Sequence, residues 1–234
     1  MVDKLMLGSL IQKFHSDGFC IAEGLVDDKA IQQVLEAAAA SENAKNGSYA
    51  PIPMPHRSHP KFLAMMRLQP IVEIVEGLVG GKAAGIGGEF FFSRPGVPGF
   101  TKHQDNSYVQ APADAFVSAW TALCDVDEEN GCLILYPGSH RLGLLPVRSL
   151  DTVPAEGQNP GAAAIEAVVP PGQMRLPVSL RRGSTVFFHG NLVHESLPNT
   201  SQHRYRYAFL ATYIRAGVPF RPGHLQKRAE VPLS

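Results

Sequence analysis

The chain of 234 residues is short of the features that mark several large protein classes. It has three cysteines, Cys20, Cys124 and Cys132, an odd number and too few for a disulfide framework. A reducing compartment is therefore expected, with the thiols acting as small buried apolar groups. It has no charge of one sign to spare: 21 Lys and Arg balance 21 Asp and Glu. That excludes the dense basic surface on which nucleic-acid affinity rests, and no nucleic-acid partner is expected. No run of about 18 apolar residues exists, so no membrane-spanning helix is expected. The segment Met1 to Leu10 holds Asp3 and Lys4 and no apolar run leading to a small-residue cleavage site, so the expected location is cytoplasmic. Charged residues make up 18% and apolar ones 44%, enough to bury a sizeable core rather than remain disordered.

Turn formers, by contrast, are plentiful: 22 Gly and 19 Pro point to frequent reversals rather than long helices. No linker-like break divides the chain. One domain over 1–234 is expected, with a helical N-terminal part over about 1–80 and a barrel over about 85–216. Apolar residues recur at helical spacing over Leu5–His15, Asp27–Ala44, Lys61–Leu68 and Pro70–Leu78, with Gly18–Ala22 a short strand between the first two. From Gly88 onward the texture changes to short runs rich in aromatic and β-branched residues. Phe90–Phe92, Phe116–Cys124, Cys132–Tyr136, Val186–Phe188 and Arg206–Ile214 read as strands of a sandwich or jelly roll. Gly190-Asn191 reads as the two-residue turn of a hairpin from Val186 to Glu195. The Pro-rich stretch Tyr49–Pro60 and the aperiodic stretch Val147–Leu180 are expected to be loops over the barrel mouth that order on ligand binding.

Some motif-like stretches fail. Gly80-Gly81-Lys82-Ala83 lacks the earlier glycine and the hydroxyl of a phosphate loop. Asp125 to Tyr136 places its glycine and its last ligand wrongly for a calcium loop, and reads as a solvated acidic turn. Ser196 has no nucleophile elbow around it. His103-Gln104-Asp105 is different. On a strand, residues i and i+2 project from one face about 6.6 Å apart, so an imidazole and a carboxylate converge on one point. Alone, such a pair is as readily a surface ion pair. His194, on the second arm of the expected hairpin, would complete a set of two histidines and one carboxylate, which leaves adjacent coordination positions open on Fe(II).

At these residues the chain resembles the phytanoyl-CoA dioxygenase family of Fe(II)- and 2-oxoglutarate-dependent oxygenases. The resemblance runs from about Gly18 to Tyr213. Four motifs carry it: His103-Gln-Asp105 followed by Asn106-Ser-Tyr108; Trp120-Thr-Ala-Leu; Asn130-Gly-Cys-Leu-Ile-Leu-Tyr-Pro-Gly-Ser-His140; and His194-x-Ser-x-Pro-Asn-Thr-Ser201 with Arg206. It implies a mainly β fold with flanking helices, a double-stranded β-helix of the jelly-roll, cupin-like type. It implies His103, Asp105 and His194 as iron ligands, with 2-oxoglutarate and O2 as cosubstrates and succinate and CO2 as coproducts. It implies that an arginine after the distal histidine grips the far carboxylate of 2-oxoglutarate. The usual position is Tyr205 here, flanked by Arg204 and Arg206. Strand parity does not choose between them, and the register of the following strand favours Arg206. Ser196 would add a hydroxyl to the same carboxylate, and Gln104 and Trp120 occupy cosubstrate-contacting positions. The retained Asp105 points to hydroxylation over halogenation.

Two other classes compete with this expectation: a cupin-type metal enzyme that uses no 2-oxo acid, and a non-catalytic barrel that binds a small ligand. An arginine anchor beside three metal ligands disfavours both. A small-molecule substrate is expected. His56 and His59 are either surface residues or substrate contacts, and His140, His189, His203 and His224 read as hydrogen-bonding or loop residues.

Overall fold

The computed structural model describes residues 2–151, 153, 155–158, 165–223 and 227–234. In chain order the elements are α1 (Lys4–Asp17), β1 (Phe19–Ala22), α2 (Asp28–Ala39), α3 (Glu42–Lys45), β2 (Ile52–Pro53), α4 (Pro60–Met66), α5 (Gln69–Val79) and β3 (Ala83–Phe91). They continue with α6 (Asn106–Val109), β4 (Phe116–Ala122), β5 (Leu133–Leu135), β6 (Val147–Ser149), β7 (Ile165–Ala167), β8 (Leu176–Val178), β9 (Thr185–His189), β10 (His194–Ser196), β11 (Ala208–Arg215) and β12 (Val231–Pro232). Among the described residues, no helix is long and apolar enough to cross a membrane.

The helices start where the sequence supplies caps. Asp3 accepts backbone N–H groups of Leu5 and Met6 at the start of α1, and Asp27 accepts that of Ala30 at the start of α2. The single helix expected over Asp27–Ala44 is in fact two. Ser41 adopts an extended conformation and its hydroxyl caps α3 at Ala44, so the helix cannot run through it.

A seven-stranded antiparallel sheet in the order β1-β9-β4-β11-β3-β12, with β2 on β3, faces a smaller sheet in the order β10-β5-β8. The result is a jelly roll with helices on the outer face of the large sheet. Strand alternation divides the side chains of that sheet between two cores. Val117, Ala119, Phe187, Phe209, Ala211 and Tyr213 point outward onto α1, α2, α4 and α5. Trp120, Ala122, Val186, Phe188 and Ala208 point inward onto Leu133, Leu135 and Val178 of the smaller sheet. Because both faces are covered, β4 is buried along its whole length. Truncating a core ring such as the fully buried Phe187 to Ala would cost about 3–5 kcal/mol.

Several local expectations are corrected. β9 and β10 do not form a hairpin. β9 pairs with β1 and β4, whereas β10 pairs with β5, so the Gly190–Val193 link carries the chain from one sheet to the other. A turn closed by the Leu192 N–H on the His189 carbonyl makes the crossing. β3 begins at Ala83, well before the phenylalanines, and its glycines hide it from propensity reasoning. A Cβ on Gly88 would lie 3.0 Å from the Leu210 carbonyl oxygen, and one on Gly85 2.5 Å from Met66 Sδ. The stretch Tyr49–Pro60 carries the edge strand β2 and a turn of 3-10 helix at Pro55–Arg57, with the Met54 N–H bonded to the Gly88 carbonyl. Proline is tolerated there because the strand is an edge. The stretch Val147–Leu180 contains β6, β7 and β8; its residues 152, 154 and 159–164 lie outside the described residues, as does His224.

A candidate metal centre and its pocket

His103 and His194 are brought together by the backbone. They face each other in an isolated antiparallel bridge, with His103 N–H donating to the His194 carbonyl at 2.9 Å and the reverse bond at 3.0 Å. The ring centroids are 4.1 Å apart. Each imidazole is oriented by a backbone carbonyl two residues earlier. His103 Nδ1 lies 2.7 Å from the Thr101 oxygen and His194 Nδ1 3.0 Å from the Leu192 oxygen. The Nδ1–H of each ring is thereby committed, and the Nε2 lone pair of each points at the third residue.

That third residue is Asp105, and it is not on a strand. The sequence places His103 and Asp105 on one strand face, but Asp105 has helical angles and opens α6, held by the Tyr108 N–H on its carbonyl. The chain turns into a helix immediately after the bridge and delivers the carboxylate to the same point. Asp105 Oδ1 lies 3.7 Å from His103 Nε2 and 3.6 Å from His194 Nε2. These separations exceed a hydrogen bond, so the three groups do not satisfy one another. Their ligand atoms all lie within 4.8 Å of each other. Ser118, on the inward face of β4 with Trp120, donates its hydroxyl to Asp105 Oδ2 at 2.5 Å and fixes the carboxylate. Burial, with His194 close by, holds the His103 imidazole below the usual histidine value, so it stays neutral and able to donate a lone pair.

The three groups line a cavity of about 730 Å³. Arg206 lies on its wall, two residues before β11, and is buried. One guanidinium nitrogen donates to the Ser93 hydroxyl at 2.7 Å and another to the Gly131 carbonyl, while its Nε has no partner. The guanidinium carbon sits 5.9 Å from the ring centres of both Phe91 and Trp120. Burial pushes its pKa down to about 10, and among the described residues no carboxylate pairs with it. A buried cation with an unspent donor on the wall of a cavity is costly unless an anion joins it. Gly131, at φ 94°, sets the carbonyl that Arg206 uses; a Cβ there would fall 2.7 Å from the Leu197 oxygen.

Arg204 goes elsewhere. It is held at the surface by Asp127 at 2.8 Å and Glu129 at 2.9 Å, the acidic turn that resembles a calcium loop in sequence. The backbone from Ser201 to Arg204 is a turn tied by the Ser201 hydroxyl and the Asn199 amide to the Arg204 carbonyl, so strand parity does not apply to the two arginines. Ser196 lines the cavity; its Oγ accepts the Phe100 N–H at 2.9 Å, leaving its own O–H to donate. Trp120 lines it too. Gln104 is not brought to the site. Its amide donates to the Gly143 and Asn191 carbonyls, each at 2.7 Å, and accepts the Leu145 N–H, so it braces loops behind the cavity. His56 is buried with neither ring nitrogen bonded and His59 caps α4; neither lines the cavity. Sequence reasoning missed Ser93, Ser118 and Gly131. Two of them had a signal: Ser118 lies two residues before Trp120 and so shares its inward face, and Gly131 lies in the motif Asn130–His140.

A family model for phytanoyl-CoA dioxygenase matches residues 14–208. The chain belongs to the phytanoyl-CoA dioxygenase family. Among curated relatives, a phytanoyl-CoA dioxygenase of Arabidopsis thaliana is 29% identical over 147 residues, covering 61% of this chain and 49% of the relative. A phytanoyl-CoA dioxygenase domain-containing protein 1 of Mus musculus is 31% identical over 147 residues, covering 61% and 50%. The chain thus spans about half the length of these relatives. Among solved structures, the epimerase SnoN in complex with Fe3+, alpha ketoglutarate and nogalamycin RO superposes with a TM-score of 0.74 at 21% identity, over 99% of this chain and 97% of that one. The alpha ketoglutarate dependent carbocyclase SnoK from nogalamycin biosynthesis gives 0.74 at 20% identity, over 99% and 95%. These likenesses show a shared fold.

Proposed function

We propose that this family member is an Fe(II)- and 2-oxoglutarate-dependent dioxygenase that hydroxylates an unactivated C–H of a small-molecule metabolite, with succinate and CO2 as coproducts. The observation that carries the reading is the pairing, in one cavity, of a two-histidine, one-carboxylate cluster with a buried arginine with which no carboxylate among the described residues pairs. The donor set fits Fe(II): two imidazole nitrogens and one carboxylate, each held by a second group, in a cavity with room for further ligands. The arginine fits a dicarboxylate cosubstrate, since a guanidinium grips a carboxylate through parallel charge-assisted bonds. SnoN, of the same fold, is described with Fe3+ and alpha ketoglutarate together.

In this reading His103, Asp105 and His194 hold the iron. Bound there, the iron supplies the redox chemistry that couples oxidative decarboxylation of 2-oxoglutarate to oxidation of the substrate. Ser118 keeps Asp105 aimed at the metal. Arg206, backed by Ser93 and Gly131, holds the far carboxylate, and the Ser196 hydroxyl donates to it. Trp120 and Phe91 flank the guanidinium and exclude water from that pair, which strengthens it. The cupin-type and ligand-binding alternatives leave Arg206 without a purpose.

The test is a turnover screen: purified protein, Fe(II), ascorbate and 2-oxoglutarate against a metabolite library, reading succinate. Substrate-dependent succinate with a product 16 mass units heavier is the expected result. Product formation without 2-oxoglutarate would support the cupin-type alternative instead.

A further inference from the structure

Two arginines enter the same cavity from the segment that follows β11. The Arg221 N–H donates to the Val109 carbonyl of α6, and the Arg228 N–H to that of Pro222, which fixes the backbone at both arginines. Both residues line the cavity, Arg221 exposed and Arg228 partly buried. One Arg228 guanidinium nitrogen lies 3.5 Å from the Tyr108 carbonyl, which is its hydrogen bond to α6. Among the described residues no ion pair joins either guanidinium to a carboxylate. The other arginines of the chain that lie near acids make such pairs readily, as Arg148, Arg175, Arg182, Arg204 and Arg215 do.

Arg206 and Arg221 stand beyond opposite ends of β11, an eight-residue strand. The carboxylate anchor, the arginine pair and the metal cluster all line one cavity. Its wall also includes Pro51, Pro53, Phe116, Leu210 and Thr212, mostly apolar. Burial holds the Arg228 guanidinium below the usual arginine value, with Asp105 opposing and Arg221 adding to the effect. Arg228 thus feels both the metal-binding carboxylate and its neighbour.

We infer that Arg221 and Arg228 form the head-group subsite for the substrate, and that the substrate is an acid with an apolar body carrying a carboxylate or a phosphate. The inference deepens the dioxygenase reading and rests on it. An anion seated on the two guanidinium groups would relieve their mutual repulsion and lay its apolar chain along Phe116 and Leu210 toward the metal ligands.

Octanoate, octyl phosphate and 1-octanol test this as probes of equal chain length. Calorimetry on the full chain, anaerobic and saturated with Fe(II) and 2-oxoglutarate, should show one or both anions binding on the order of tenfold tighter than the alcohol. Whichever anion is preferred names the head group. The double variant Arg221→Ala/Arg228→Ala should lose the preference while its 2-oxoglutarate affinity and melting temperature stay unchanged. Equal binding of alcohol and anions, no binding of either anion, or an undiminished preference in the double variant would overturn the inference. So would loss of 2-oxoglutarate binding in that variant, which would make the pair a cosubstrate anchor. The same titration without metal or 2-oxoglutarate, on the chain and on Arg206→Ala, separates the two claims: if the dioxygenase reading alone fails, the anion preference persists there and still depends on Arg221 and Arg228.

Discussion

His103 and His194, far apart in the chain, are opposite partners in one antiparallel bridge, and each spends its Nδ1 on the carbonyl two residues before it. Two Nε2 lone pairs are thus aimed at one point by backbone alone, and Asp105 is delivered there by the first turn of α6. Replacing any one of the three by Ala is expected to abolish stoichiometric Fe(II) binding. Metal analysis after gel filtration checks it, with wild type at one iron per chain; full iron retention in a variant removes that residue from the ligand set.

Ser118→Ala tests the support behind the carboxylate. The hydroxyl touches only Asp105 Oδ2 among the cluster residues, so the variant should fold while binding Fe(II) about 10- to 100-fold more weakly. Competition with a chromogenic chelator measures this. An unchanged affinity would make the bond incidental to metal binding.

Arg204→Ala and Arg206→Ala separate the two arginines. Arg204 is an exposed partner of Asp127 and Glu129, and its loss should change 2-oxoglutarate affinity less than about twofold. Loss of the buried Arg206 should cost about 2–5 kcal/mol of binding, roughly 30-fold or more. Gly131→Ala, which forces a Cβ against the Leu197 oxygen from a left-handed backbone, should loosen the same clamp without removing a charge.

The site was legible in sequence because its chemistry sits in residues of restricted type: His103, Asp105, His194, Arg206 and Ser196 all reach the cavity. Strand parity predicts that His103 and Asp105 share a strand face, yet a helical turn delivers Asp105 to the cluster. The Gly190-Asn191 turn was read locally as a hairpin, because a two-residue signal cannot show that β9 and β10 belong to different sheets. Gln104 sits in a motif but its amide is consumed by Gly143, Asn191 and Leu145, contacts distant in sequence. Ser93, Arg221 and Arg228 matter through tertiary neighbours that no local pattern announces. In the N-terminal part, helices were legible from caps and apolar spacing, and the error at Ser41 was a cap read as helix interior.

His56 gives a pH prediction. Burial, with Arg57 adding to it, pushes its pKa down to about 4, as burial does for His189. The native state therefore keeps both rings neutral while the unfolded chain protonates them near their ordinary value of about 6.5. Between about pH 6.5 and 4 the unfolded chain binds more protons, so stability falls as pH falls through that window and is flat above it. Melting curves of the metal-free protein should show this decline, and His56→Leu should make it shallower without lowering stability at pH 7.5, since neither nitrogen is hydrogen-bonded. A decline as steep as wild type would remove His56 as a cause.

The most direct test of the account is anaerobic calorimetry of 2-oxoglutarate with the purified chain. The account predicts one 2-oxoglutarate per chain, bound tightly only when Fe(II) is present, with that binding weakened roughly 30-fold or more in Arg206→Ala and lost in His194→Ala. Binding of equal strength with and without metal, or undiminished in Arg206→Ala, would contradict it.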